Sequence, residues 1–375
     1  MNRLSLRIIQ GLLVSAMVCG CSLAPTAPEP APVTTVDPAA PRLSAIDSQN
    51  FSLSEDQTMV GAPQVVFTRH EHTLSDIARE YNLGFDEVRA ANATVDPWLP
   101  GEDQPVFLPT QFILPRAPRD GLVLNLASMR LFFFRDSEMG RQLVTHPIGI
   151  GRVGWETPLG SSAVISKARD PSWYVPQSIR KEHADMGDPL PAVVGPGPDN
   201  PLGRFAMKLD MPGYLIHGTN QPYGVGMRVS HGCIRLYPEN IEVVFGQVAI
   251  GTPVEIVNQP VLAAWHDDML FLEVHPALDE DERDQSLEAE AIIAATMAAQ
   301  GQPLTTIDQD LVAQVLSERR GIPFPVSRFG PLPDAYLARS QPVENTAPII
   351  TAETHLLEEQ QALAAEAAIN ATGSP

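Results

Sequence analysis

The sequence predicts a mainly β protein: a central mixed β-sheet or sandwich domain with short helices, a small βααβ module before it and an α+β cap after it. Three observations predict this. Between residues 120 and 258, short apolar runs are interrupted every few residues by Gly and Pro, the punctuation of strands and turns. Ahead of them, residues 73–81 carry apolar side chains at 74, 77, 78 and 81, one face of a helix, between two short strand-like runs. Behind them, Met269–Val274 reads as a strand followed by helices near 286–299 and 307–319. The chain has 375 residues, enough for two or three domains.

In the βααβ module, 63–115, residues 65–67 read as the first strand. Thr73 is the expected N-cap of the first helix, with Asp76 as its acidic partner three positions on. Asn82-Leu83-Gly84 ends that helix. Phe85, Val88 and Ala91 mark a second helix, Leu99-Pro100-Gly101 a turn, and residues 106–109 a closing strand. In the central domain, 120–258, residues 122–126 and 130–134 flank a short turn and predict a hairpin. Gly149-Ile150-Gly151 lacks the rest of a dinucleotide fingerprint and reads as a turn. Only residues 238–247 look like an amphipathic helix there. The cap is expected over 259–335, and an acidic, flexible tail over 336–375.

The N-terminus reads as a secretion signal over 1–20. Arg3 and Arg7 precede an apolar stretch, 8–18, too short to span a bilayer comfortably. Val18-Cys19-Gly20-Cys21 resembles a bacterial lipobox, which implies lipidation of Cys21 and a membrane anchor; cleavage near Ala24 is the competing reading. Residues 21–62, rich in Pro, Ala, Thr and Ser, then read as a tether. Ser22 after the lipidated position suggests the outer membrane of a Gram-negative periplasm. The formal net charge of −20, from 45 acidic and 25 basic residues, argues against a nucleic-acid partner.

Of three cysteines, Cys19 leaves with the signal and Cys21 is acylated or removed, so Cys233 becomes the sole thiol. It stands in Ser230-His231-Gly232-Cys233-Ile234-Arg235, 16 positions after His217. A thiol attacks as its thiolate, and a nearby imidazole is the usual means of making one. The N–H groups of Gly232 and Cys233 are candidates for an oxyanion hole. Arg235 is placed to hold a substrate carboxylate. Two other readings stay open on the residues alone: Cys233, His217 and His231 as three zinc ligands, or Cys233 as a buried core residue.

Taken together, Asn200-Pro201-Leu202-Gly203, Ile216-His217-Gly218-Thr219-Asn220 and the segment from Ser230 through Asn240 resemble the catalytic domain of L,D-transpeptidases, Gram-negative periplasmic branch. The βααβ module resembles a LysM module through Thr73-Leu74-Ser75-Asp76-Ile77-Ala78, Ala91-Asn92 and Pro100-Gly101, although Glu71-His72 replaces the usual Gly-Asp. The resemblance implies a cysteine acyl transferase without metal or organic cofactor, and peptidoglycan as partner: stem peptides at the catalytic domain, glycan strands at the module. Cys233 would be the nucleophile and His217 the general base, oriented by the Gly218 carbonyl. His231 would support the oxyanion or substrate, and Ser230, Asn220, Tyr214 and Arg235 would bind substrate. The acceptor amine would belong to another stem or to a wall-attached outer-membrane lipoprotein. A carboxypeptidase or amidase-like hydrolase, and an inert wall-binding protein, are the alternatives.

Overall fold

A computed structural model describes residues 50–138 and 140–349. The signal, Cys21 and most of the tether lie outside the described residues, as does the tail beyond 349. Among the described residues no helix is long and apolar enough to cross a membrane.

A nine-stranded mixed sheet forms the centre. Its order across the sheet is Asn50–Ser52, Gly140–Pro147, Arg130–Ser137, Gly121–Asn125, Pro253–Val257, Gly160–Arg169, Phe205–Leu209, Leu215–His217 and Ile234–Arg235. Neighbours run antiparallel except Gly121–Asn125 with Pro253–Val257 and Leu215–His217 with Ile234–Arg235. The expected hairpin is present, with Asn125 opposite Arg130.

The continuous apolar runs of this hairpin reflect burial on both faces. Leu122, Leu124, Leu131 and Phe133 point into one core with Ile216, Ile234, Ile241 and Val254. The alternate residues Val123, Phe132 and Phe134 point the other way, against Val66, Leu74, Ile77, Phe85 and Val88 of the βααβ module. That module follows its expected outline: Gln64–Phe67, Leu74–Glu80, Phe85–Ala91 and Pro105–Leu108, the outer strands antiparallel. Thr73 and Asp76 exchange a full capping box. Its other side packs Val65, Ala91 and Phe107 against the hairpin Val261–His266 and Met269–Val274 and the helices Gln285–Ala299 and Gln309–Glu318.

The module and the central sheet are joined by a buried ion pair. Arg130 is 1% exposed and donates to Glu87 at 2.7 Å, while Glu87 caps the second helix through the Gly84 N–H. The same guanidinium donates to the Asn82 carbonyl and lies 4.2 Å from the centre of the Phe112 ring. Asn82, at φ +53°, donates to the Thr145 carbonyl and accepts from Asn240.

Three boundary expectations change. Asn50–Ser52 and Met59–Gly61, read as tether, are strands; the first forms the sheet edge beside Gly140–Pro147. Gly149-Ile150-Gly151 is no turn: Ile150–Gly151 pairs in parallel with Arg228–Ser230, and Gly149 and Arg235 exchange both backbone hydrogen bonds. Residues 336–349 are not a free tail. Pro333–Leu337 is a helix, and Gln341–Pro342 adds a parallel strand to Gln64–Phe67. Val343 and Ala347 are buried, and Asn345 donates to the Phe67 carbonyl. Satisfied backbone and buried apolar side chains explain why this stretch is ordered despite its Pro-rich sequence.

Replacing Glu87 by Gln strands the Arg130 charge inside the protein. Glu87→Gln is expected to lower stability by about 3–5 kcal/mol, read as a drop in the chemical-denaturation midpoint. A change below about 1 kcal/mol would show that the pair is dispensable.

Candidate active site

Alternation along the last four strands of the sheet sorts their side chains onto two faces. Phe205, Met207, Leu209, Ile216 and Ile234 go to the core. Ala206, Lys208, Leu215, His217, Cys233 and Arg235 go to the opposite face and line a cleft of about 1300 Å³. Register fixes their neighbours: Ala206 opposite His217, and His217 beside Arg235. Cys233 precedes Ile234 and so falls beside Leu215, whose backbone hydrogen-bonds the thiol. His217 and Cys233 are therefore diagonal neighbours on one face.

His217 is buried, and its Nδ1 lies 2.6 Å from the Gly218 carbonyl. A carbonyl only accepts, so Nδ1 carries the proton and Nε2 keeps its lone pair. Burial, reinforced by the Arg235 charge, lowers the imidazole pKa to about 3. The Cys233 thiol is partly exposed and donates to the Gly213 carbonyl at 3.6 Å. Desolvation pushes its pKa up, against the pull of the Leu215 backbone and Arg235. The resting pair is thus a neutral thiol and a neutral imidazole rather than an ion pair.

The loop before the thiol is shaped by its own small residues. Gly232 has φ +98°, and a Cβ there would meet the Tyr214 ring at 2.9 Å. Its N–H donates to Ser230 Oγ at 3.2 Å, and Ser230 Oγ donates to the Cys233 carbonyl at 2.6 Å. The Gly232 N–H, one of the two expected oxyanion donors, is thus engaged within the loop, and the buried Ser230 hydroxyl closes that loop while Ser230 also lines the cleft. Behind the loop, Gly226 lies against Gly84 of the βααβ module: a Cβ on Gly226 would come within 2.2 Å of the Gly84 Cα. The Gly226 carbonyl accepts from the Asp86 N–H.

Tyr214 and exposed Asn220 line the cleft. Arg235 does too, and its Nε is buried without a hydrogen-bond partner among the described residues. His231 lines the cleft too, and its ring is held by other side chains. Its Nε2 lies 3.0 Å from Glu182 and 3.2 Å from Arg152, and the Trp155 ring meets it edge-on at 4.8 Å. Glu182 also pairs with Arg152, which holds its carboxyl below the usual range. Glu182 belongs to the helix Gln177–Asp185, on a loop flanked by the paired strands Trp173–Tyr174 and Val193–Val194. The helix, and the contacts that Glu182, Arg152 and Trp155 make with His231, were not foreseen; the helix is polar and buries only Ile179. Among the described residues no three His, Cys, Asp or Glu side chains converge as a metal site, which disfavours the zinc reading.

Comparison with known proteins identifies the family. The sequence profile of the L,D-transpeptidase catalytic domain matches residues 119–256. The probable L,D-transpeptidase YbiS of Escherichia coli K12 is 35% identical over 277 residues, 72% of this chain and 89% of that protein. The probable L,D-transpeptidase YcfS of the same strain is 38% identical over 68% of this chain and 81% of that protein. The probable L,D-transpeptidase ErfK/SrfK of Salmonella typhimurium is 35% identical over 74% and 90%. Among solved structures, L,D-transpeptidase 1 of Mycobacterium tuberculosis is 27% identical over 37% of this chain and 63% of that one, at a TM-score of 0.25. With catalytic-domain motifs, cleft geometry and near-full-length relatives in accord, this chain belongs to the L,D-transpeptidase family.

Proposed function

We propose that the chain is a peptidoglycan L,D-transpeptidase in which Cys233 is the nucleophile and His217 the general base. One observation carries this reading: the neutral imidazole, locked by Gly218, keeps Nε2 as a base on the same cleft face as the only thiol among the described residues. As Sγ bonds to the carbonyl of the third residue of a tetrapeptide stem, its proton passes to His217 Nε2. The C–N bond to D-Ala breaks, and that proton leaves with the amine. An acceptor amine then attacks the thioester, and its proton returns through His217 to Sγ. Proton transfer concurrent with attack suits a pair that starts neutral.

Arg235, a cation near Cys233 whose Nε has no hydrogen-bond partner among the described residues, suits the carboxylate of the departing residue. With Gly232 occupied, the Cys233 N–H is the remaining backbone donor of the two considered for the oxyanion. The βααβ module is read as LysM-like, presenting the wall glycan to the same molecule; its order of elements and capping box support this. His72, in place of the usual Asp, is buried and bonded to Asn345, so glycan contact falls to its neighbours. Transfer to a wall-attached lipoprotein or a second stem is favoured over hydrolysis by the transpeptidase relatives alone. A lipid anchor at Cys21 and a periplasmic location complete the proposal, on the basic and apolar N-terminal pattern.

Exposed to a carbapenem, the wild-type chain is expected to gain one covalent adduct by intact mass, absent in Cys233→Ala. His217→Ala should acylate at least about 10²-fold more slowly. Unchanged acylation in His217→Ala would remove it from the base role. Alkylation of Cys233 by iodoacetamide should rise only above the pH range of an ordinary thiol, since burial favours the protonated form. Arg235→Met removes the charge that favours the thiolate, so its alkylation profile should move to still higher pH; a shift to lower pH would refute that electrostatic assignment. Cys21→Ala should move the protein from the membrane fraction to the soluble periplasm, and retention in the membrane would refute the lipobox.

A further inference from the structure

Lys208 has no assigned role, yet it sits on the floor of the catalytic cleft. It lies opposite Leu215 on one side and Ser166 on the other. Because Cys233 lies beside Leu215, Lys208 and Cys233 share one row across the sheet on the same face, two strands apart. At about 4.8 Å per strand, their Cα atoms are about 10 Å apart. The floor around Lys208 is small-residued, with Ser166, Ala168 and Ala206. Lys208 is exposed to the cleft, and among the described residues no carboxylate pairs with it. In a chain of net charge −20 an unpaired cation facing a cleft is notable, because acidic partners outnumber basic ones.

We propose that Lys208 is a specificity-determining residue that binds a second carboxylate of the acyl donor, remote from the scissile bond. The inference rests on the proposed function. Distance decides which carboxylate it takes. That of the departing residue is three bonds from the attacked carbon, about 4 Å, and falls to Arg235 beside the thiol. Carboxylates six or seven bonds away, about 7–9 Å, reach the neighbourhood of Lys208. A stem has two at this range: the free carboxylate of its γ-linked glutamate, and the side-chain carboxylate of diaminopimelate. Both present the same ligand chemistry to an ammonium group.

The test uses the full-length enzyme and three synthetic tetrapeptides: the parent, one amidated at the glutamate carboxylate, and one with lysine replacing diaminopimelate. D-Ala release is followed for wild type, Lys208→Met and Lys208→Arg. Wild type should prefer the parent over one of the two analogues by about 10-fold in kcat/KM, the size of a charge-assisted hydrogen bond. Lys208→Met should lose that preference through KM, and Lys208→Arg should keep it. Loss against the amidated peptide assigns the glutamate carboxylate; loss against the lysine peptide assigns diaminopimelate. If Lys208→Met retains every wild-type preference, or wild type shows none, the inference is overturned. A wild type that takes up a carbapenem at Cys233 yet turns over no stem peptide would overturn the substrate reading instead, and one that does neither would overturn the nucleophile assignment.

Discussion

The Arg130–Glu87 pair governs how the rest of the molecule is arranged. Two charges at that depth are tolerable only with their donors and acceptors met, and here these join the central sheet to the βααβ module. Arg130 belongs to the central hairpin, Glu87 and Asn82 to the βααβ module, and Phe112 to the strand Gln111–Ile113. Meeting them sets the module at one position on the back of the sheet. Asn82 then reaches Thr145 and Asn240, and Gly84 receives Gly226. The loop that leads to the thiol is thereby seated on a module that shares none of the cleft chemistry. The catalytic domain and its neighbour are one packed body at this point, although their sequences read as separable.

The thiol and imidazole proposed as the catalytic pair were legible because they are chemically exposed in the sequence: a lone thiol, two imidazoles and glycines in tight spacing. Their protonation was not. Only the packing around His217 and the carbonyl of Gly218 make the imidazole a neutral base. The bonds that Ser230 and Gly232 make within the loop were hidden for a related reason. Their polar groups look available in a motif but are consumed by the turn that the left-handed Gly232 creates. Glu182 and Arg152 were invisible because they reach His231 from distant segments, Glu182 from a helix that buries only Ile179 and Arg152 from just after the strand Ile150–Gly151.

The same division runs through the fold. Helices of the βααβ module were readable from the capping box and from 3.6-residue spacing. Apolar runs at 122–126 and 131–134 announced strands but not that both faces would be buried, since periodicity vanishes when there is no solvent side. Pairings between distant segments left no local mark. Asn50–Ser52 and Gln341–Pro342 are two or three residues long, and their positions come from partners elsewhere in the chain.

That last strand has a consequence for the order in which the protein is assembled. The sheet of the βααβ module takes its third strand from residues 341–342, while its first begins at Gln64. As the chain emerges from its N-terminus, this module carries an open sheet edge until almost all of the described chain has followed. An exposed edge of that kind recruits foreign strands, so the interval before closure is when the polypeptide is most prone to mispair. A truncation short of residue 341 would leave that edge of the first-made module without its native strand.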